Sequence, residues 1–325
     1  MSCGGWTGAL PTGENVGLNG ARLFSVDSYW NQDVSTAPVD SNSNSLVSTL
    51  TAHNSDLRIV AGINNGTPVG MPYAVINGVA LQAGQAASRS GGLMHIAPDL
   101  FLFPLPVTFN IRGSDVGPYV IPANAPVQNG TDEHVLVVDG AQCKLYELYH
   151  AQSNGSSWNA DSGAVFDLSG DGTRAAGQKS ADAAGLPIFP GLVRYDEVNS
   201  GKLSHALRFA VSTVRLAYVA PAVHCASSVS DPTNPSYPPL GMRVRLKASV
   251  DVSSYPARMQ VILNALKKYG MILADGAGED WQLSGAADSR WNNNELATLN
   301  AIHNTDFEVI QMGTVTVAGS SGTCP

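Results

Sequence analysis

The sequence lacks the short motifs that identify the commonest enzyme sites. It has no GxGxxG after an expected strand, no GxxxxGKS/T, no HExxH and no CxxC, which excludes the usual signatures of dinucleotide, phosphate-loop, zinc-protease and dithiol redox sites. It also has no apolar run near the roughly 18 to 20 residues that a membrane-spanning helix needs. We therefore expect a soluble protein whose chemistry depends on residues scattered along the chain.

Charged residues are scarce as well. They make up 14% of the chain and leave a net charge of -8, so we expect neither nucleic acid nor an anionic membrane as a partner. By contrast, 33 glycines and 19 prolines indicate many turns and short strands rather than long surface helices.

We predict a mainly β fold, an antiparallel sandwich or jelly roll with a few peripheral α-helices. A β-propeller is the alternative, although no internal repeat is visible. Residues 1–43 are rich in Gly, Asn and Ser and are expected to form an arm on the surface. Residues 44–325 then form a single domain, and we expect a monomer.

The clearest local patterns are one hairpin and one helix. HVLVVD and CKLYELY flank a turn at Gly140 and predict two paired strands, with Glu147 and Tyr149 on the same face of the second strand. YPARMQVILNALKKYG predicts a helix that ends at Gly270. A shorter helix is expected at 44–53, and MRVRLKASV predicts a strand whose basic face is solvated. The stripe that we expect the long helix to bury is Met259, Ile262, Leu263 and Leu266.

The sequence contains four cysteines. An even number permits three pairings, and we predict Cys3 with Cys324 and Cys143 with Cys225, because the first bond would hold both ends of the chain. Free buried thiols are the alternative.

The stretch 177–209 concentrates turn formers, carboxylates, basic residues and a histidine. Asp182 precedes the rigid sequence GLPIFPG, a setting in which catalytic groups are often presented. If LVRYDEV and HALRFAV pair as a hairpin, Glu197 and His205 lie close together. Cleavage of a glycosidic bond requires an acidic and a basic carboxyl group. We therefore predict that Asp182, Glu197 and His205 are catalytic residues that act on a polysaccharide. The alternative is that the acidic residues form ion pairs on the surface.

Several other side chains are candidates for contact with the glycan. His134 and His224 lie at strand ends and suit metal binding or proton transfer if their strands are neighbours, although structural hydrogen bonds are the alternative. The tryptophans lie in polar surroundings that suit sugar stacking, or they anchor loops to the core. The predicted substrate-binding residues are Arg194, Arg208, Tyr149, Trp158, Asp115, His134 and His224.

The sequence is also compatible with a second reaction, because the chain becomes locally basic between residues 194 and 247. A base such as His or Tyr beside an arginine is typical of proton abstraction from a uronic acid. A lyase on an acidic polysaccharide is therefore the first alternative. A non-catalytic glycan-binding or cell-wall structural protein is the second.

No cofactor is required by these hypotheses. The sequence DLSGDGT matches the opening of a calcium loop through Asp167, Ser169 and Asp171. The twelfth position is Gln178, which cannot supply the bidentate carboxylate, so a polar turn is the alternative to structural Ca²⁺.

A longer set of segments resembles a family of extracellular bacterial and fungal proteins without an assigned function. The segments are HVLVVD, CKLYELYHA, ADSGAVFDL, SADAAGLPIFPGLVRYDEV, HALRF, PPLGMRVRLKAS and LKKYGMILAD. The resemblance covers about Asp115 to Val309 and implies a secreted protein from organisms that live on polymers. The start of the chain lacks the basic residues and apolar run of a signal peptide. We therefore expect the mature form of a secreted protein, with an intracellular protein as the alternative.

Overall fold

The computed structural model describes residues 6, 9–50, 55–78, 106–110, 114–229, 233–318 and 324. The protein is mainly β, with 28% strand and 14% helix, so the predicted fold class is confirmed. No helix in these ranges combines the length and the apolar character needed to cross a membrane.

The strands are short, as the many glycines and prolines predict. In chain order they are β1 (Gly13–Glu14), β2 (Arg58–Val60), β3 (Gly62–Asn64), β4 (Thr67–Val69), β5 (Ala74–Ile76), β6 (Val107–Phe109), β7 (Val135–Asp139), β8 (Lys144–Tyr149), β9 (Gln152–Ser153), β10 (Trp158–Ala160), β11 (Ser162–Asp167), β12 (Leu207–Val211), β13 (Ala217–Val219), β14 (Arg243–Leu246), β15 (Met271–Gly276), β16 (Gln282–Ser284), β17 (Phe307–Val309) and β18 (Val315–Val317). The α-helices are α1 (Ser43–Thr49), α2 (Tyr195–Asn199), α3 (Ala257–Lys268) and α4 (Asn293–Ala297). Short 3₁₀ turns cover Phe189–Gly191, Thr298–Ala301 and Asn304–Asp306.

Two large sheets organise the molecule. One has five strands in the order β1-β5-β7-β8-β11, and the other has six in the order β17-β14-β15-β12-β16-β2. Both are mixed, because β5 runs parallel to β7 and β12 runs parallel to β15. Residues of both sheets contribute to one hydrophobic core, which gives a sandwich-like arrangement. Three smaller sheets, β6-β10-β9, β13-β18 and β3-β4, complete the fold.

The predicted hairpin is confirmed as β7 and β8, which pair antiparallel from Val135 with Leu148 to Asp139 with Lys144. Asp139 closes the turn because its Oδ1 accepts hydrogen bonds from three backbone amides. Leu145 belongs to the main core, whereas its neighbour Tyr146 belongs to a second apolar cluster on the other face. The sheet is therefore buried on both sides, which explains the continuous apolar run of β7.

The predicted long helix is confirmed as α3, and its predicted stripe is fully buried. Gly270 follows the helix with a φ of +65°, and a Cβ there would collide with the Val244 carbonyl. Glycine is therefore required at this stop. The shorter helix predicted at 44–53 is confirmed as α1 within the described residues.

The predicted hairpin between LVRYDEV and HALRFAV is wrong. The first of these segments forms α2, with Asp196 and Glu197 in its first turn and Val198 buried. Acidic side chains near a helix N-terminus are favoured by the helix dipole, and this local preference outweighs the short apolar pattern.

The prediction that the basic face of β14 is solvated is also wrong for its two arginines. Arg243 and Arg245 are buried, because residues of the N-terminal segment cover this face. Arg243 donates to the carbonyl oxygens of Tyr29 and Tyr269 at 2.8 and 2.9 Å. Arg245 donates to the carbonyl oxygen of Val34. These cations are therefore structural, and they weaken the argument for a basic substrate surface.

The disulfide pairing differs from the prediction. Cys225 is bonded to Cys324, so both predicted pairs are wrong, since each needs one of these two residues. The described cysteines include no free thiol. Spacing in the sequence cannot reveal such a pair, because the fold decides which strand the C-terminal segment meets.

Candidate functional site

A cleft of about 560 Å³ opens beside β15 and is lined mainly by polar groups. We call it the Asp132–Asp275 cleft, after the two carboxylates that line it. Its other principal polar side chains are Gln128, Arg208, Gln282 and Ser284.

An irregularity in strand pairing places Asp275 in this cleft. Arg208 of β12 pairs with Ile272 of β15, but the register shifts after Phe209, so that Ala210 pairs with Asp275. Residues at i and i+2 of a strand share a face, and paired residues on neighbouring strands share it too. The shift therefore places the Asp275 side chain on the same face of the sheet as Arg208. β-Bulges near functional sites often redirect a side chain in this way.

Arg208 is the centre of a buried hydrogen-bond network. Its Nε donates to Asp182 Oδ2 at 2.8 Å, and its Nη1 donates to Ser284 Oγ at 2.8 Å. Its Nη2 donates to Asp275 Oδ2 at 3.0 Å. The Asp182 side chain is fully buried, whereas that of Asp275 is 31% exposed. Arg208 therefore links the carboxylate of Asp275, which faces the cleft, to the carboxylate of Asp182 in the interior.

The surroundings of Asp275 favour its protonated form. Burial raises its pKa to about 6, and the neighbouring carboxylates of Asp182 and Asp132 add to this effect against the opposing charge of Arg208. Asp132 is exposed at the same cleft. Two acidic side chains in one cleft, one of them protonated below about pH 6, suit acid–base chemistry.

Two further titratable groups lie behind the cleft. Glu147 is fully buried and accepts hydrogen bonds from the amides of Ile188 and Phe189, at 2.9 and 2.8 Å. Burial raises its pKa to about 8. His134 lies 3.0 Å from the carbonyl oxygen of Ala181, and burial lowers its pKa to about 4. Both groups support the loop at 181–189 and have no surface from which to reach a substrate.

A second charged cluster contains Arg194, Glu197 and His205. Arg194 Nη2 donates to Glu197 Oε1 at 2.7 Å, and His205 Nε2 lies 3.2 Å from Glu197 Oε2. Burial opposes ionisation of Glu197, but Arg194 and His205 outweigh it and hold the pKa of the carboxyl at about 2. Glu197 is therefore unsuited to donate a proton.

The predicted catalytic partnership of Asp182 and Glu197 is not formed. Asp182 is bound to Arg208 in the interior, whereas Glu197 is bound to Arg194 and lines another cavity. The missing hairpin is the reason, since α2 directs Glu197 away from the strand that carries Arg208. The predicted proximity of Glu197 to His205 does occur, although a helix rather than a strand provides it.

The remaining predicted substrate-binding residues mostly have structural partners. Asp115 receives two hydrogen bonds from Arg174, at 2.9 and 2.8 Å. His224 Nδ1 lies 3.0 Å from the carbonyl oxygen of Ala183. Tyr149 packs beside His134, with ring centroids 5.4 Å apart.

The tryptophans do not form stacking platforms. Trp158 is 1% exposed, and the other four are also buried in the core. Trp281, for example, stacks between Phe209 and Phe307 at centroid distances of 5.8 and 4.9 Å. The polar sequence around these residues reflects the loops that they anchor.

The carboxylates of the calcium-like loop have local partners. Asp167 Oδ2 accepts a hydrogen bond from Lys144 at 2.8 Å, and its Oδ1 accepts from the amide of Ser169. Asp171 Oδ1 accepts from Thr173. Among the residues that the structure describes, no group of three or more His, Cys, Asp or Glu side chains could hold a metal ion.

Sequence reasoning missed both carboxylates of the cleft. Asp275 ends the apolar run MILAD, and Asp132 lies two residues before the run HVLVVD. A carboxylate at the end of a buried strand is a recognisable signal, because such ends often line binding clefts. Their common location depends on how β7 and β15 are placed, which the sequence does not reveal.

The fold and the cleft define a mainly β protein with an acid-lined polar site. No family model, no curated protein and no solved structure was found to match the chain. We therefore infer the function from the geometry of the cleft.

Proposed function

We propose that this protein is a secreted glycoside hydrolase that cleaves a polysaccharide in the Asp132–Asp275 cleft. The observation that carries the proposal is the presence of two carboxyl groups in one polar cleft, one with a pKa of about 6. Glycoside hydrolysis uses such a pair, in which one group is a protonated acid and the other a base or nucleophile.

Each residue of the cleft has a role in this reaction. Asp275 transfers its proton to the glycosidic oxygen as the bond from that oxygen to the anomeric carbon breaks. Asp132 supplies the second carboxylate and takes the proton of the water that attacks this carbon. Arg208 fixes the orientation of Asp275 through its hydrogen bond at 3.0 Å. Gln128 and Gln282 suit the hydroxyl groups of a sugar, because amides both donate and accept hydrogen bonds.

The lyase alternative has weaker support. Its arginine must be available for a substrate carboxylate, but Arg208 is occupied by Asp182 and Asp275. Its base must accept a proton near neutral pH, but burial raises the pKa of Tyr149 and His134 is buried. The Cys225–Cys324 disulfide is compatible with the proposed secretion, because such bonds persist in oxidising surroundings.

A panel of polysaccharides tests the proposal when each product is assayed for new reducing ends and for the absorbance of unsaturated uronates. We expect reducing ends without unsaturated products. Asp132→Asn and Asp275→Asn should each lower kcat by at least about 100-fold, while the matched surface variant Asp251→Asn should keep the wild-type rate. Unsaturated products, or full activity of both cleft variants, would refute the assignment.

A further inference from the structure

Three cavities have lining residues in common. The first is the Asp132–Asp275 cleft. A middle cavity of about 670 Å³ shares Gly70 with it, and a third cavity of about 650 Å³ shares Gly17 and Asp196 with the middle one. Each cavity therefore shares part of its wall with the next.

Continuous chain segments line neighbouring cavities. The segments 126–132 and 284–290 each contribute some residues to the first cleft and others to the middle cavity. Residues of 14–23 line both the middle and the third cavity. Gly70, which lines both cavities, has no side chain, and a Cβ there would lie 2.5 Å from the carbonyl oxygen of Gly285. Side-chain atoms of this residue therefore do not separate the two cavities.

The cations in the first two cavities are already paired. Arg208 binds Asp182 and Asp275 in the first cleft. In the middle cavity, Arg290 donates to Asp196 Oδ1 at 2.7 Å and to Asp288 Oδ2 at 2.6 Å.

Carboxylates exceed cations in the first cleft and the middle cavity, whereas Arg22, Arg194 and Lys202 line the third cavity. Asp132 in the first cleft and Glu14 in the middle cavity are both exposed. Like charges juxtaposed in a binding site repel a charged partner. An acidic polymer therefore meets unfavourable charge over the length of both cavities.

We infer that the three cavities form one groove for a linear glycan without acidic groups, which spans several sugar units. This inference rests on the proposed function, since it places the cut within the first cleft. Sugar units in the other two cavities supply binding energy remote from the reacting bond.

Binding measured separately from cleavage tests the groove. The Asp275→Asn variant is titrated by calorimetry with neutral β-glucan, chitosan and polygalacturonate oligosaccharides of two to eight units. We expect the affinity for the neutral or amino-bearing series to rise at least tenfold from two to eight units. At low salt, polygalacturonate should bind at least tenfold more weakly than the best series of equal length. Affinity independent of length, or preference for polygalacturonate, would overturn the inference.

A bulky residue in the middle cavity provides a second test. Ser289 is exposed there, and Ser289→Trp should reduce the ratio of octasaccharide to disaccharide affinity at least fivefold. Ser254→Trp, at an exposed position away from the three cavities, should keep the wild-type ratio. Equal ratios in the two variants would show that the middle cavity takes no part.

The outcomes separate the two proposals. If affinity rises with glycan length but the wild-type protein cleaves none of these glycans, the groove is supported and the hydrolase function is contradicted. If the protein cleaves a glycan but affinity does not depend on length, the hydrolase function is supported and the groove is contradicted. A chain that neither binds nor cleaves any member of the three series contradicts both.

Discussion

Arg208 and Asp182 form an ion pair inside the protein, with 2.8 Å between Nε and Oδ2 and with side chains only 3% and 0% exposed. An isolated charge at this depth is very unfavourable, so each partner requires the other. The same guanidinium also holds the partly exposed Asp275. The stability of the core and the shape of the cleft therefore depend on one side chain.

Arg208→Met should destabilise the protein by about 3 to 5 kcal/mol, because it leaves Asp182 as an uncompensated buried charge. Chemical denaturation at pH 7 measures this change. The matched variant Arg258→Met removes an arginine that is paired with Glu295 at a more exposed position and should cost less than about 1 kcal/mol. Similar losses in both variants would contradict the importance of burial.

The pH dependence of stability should report on Glu147. Its folded pKa of about 8 lies above the unfolded value, so the folded state retains a proton that the unfolded state releases. The stability from this proton is fully present below about pH 4.5 and is lost as the pH rises to about 8. Because an amide does not ionise, the stability of Glu147→Gln lacks this decrease as the pH rises.

Wild-type unfolding free energy should therefore fall more steeply between pH 5 and pH 8 than that of Glu147→Gln, by up to about 4 kcal/mol. Urea denaturation across this range gives the slope of unfolding free energy against pH for each protein. A loss of stability that the substitution causes equally at every pH does not change this slope. Parallel slopes would show that Glu147 ionises normally in the folded protein.

The activity of the cleft should decrease on the alkaline side of pH 6. Asp275 acts in its protonated form, and its pKa is about 6, so kcat/KM should fall about tenfold per pH unit above that value. Asp132→Asn removes a charge that raises this pKa, so the Asp275 carboxyl should titrate at lower pH in that variant. Carbon NMR of the labelled carboxyl measures this shift without the need for activity, and an unchanged titration would place Asp132 too far away to interact.

The Cys225–Cys324 bond closes a loop with a sequence separation of 99 residues. Loss of a crosslink over a loop of this length is expected to cost about 2 to 5 kcal/mol, because the unfolded chain gains conformational freedom. Cys225→Ser and Cys324→Ser should each lower Tm, and the double variant should match either single one. Additive losses would contradict a bond between these two residues.

Local pattern was sufficient for the elements with strong periodicity. The helix α3, its buried stripe and its glycine stop follow from spacing and chain stereochemistry, as does the β7–β8 hairpin. These features depend mainly on neighbours in the chain, so the sequence predicts them well.

The candidate site was only partly predictable. The stretch 177–209 does supply Asp182 and Arg208 to the network behind the cleft, but α2 directs Glu197 elsewhere. The short segment LVRYDEV suits either a strand or a helix start, and the helix that forms has Asp196 and Glu197 in its first turn and Val198 buried.

The amino-acid sequence is enough to predict the mainly β class, the strongest hairpin, and the long helix with its stop. The packing of distant segments sets the disulfide partners, the burial of Arg243 and Arg245 beneath the N-terminal segment, and the position of Asp132 and Asp275 in one cleft. The physical reason is distance along the chain. Strand and helix preferences arise between near neighbours, whereas a cleft is formed by segments whose proximity depends on the packing of the whole core.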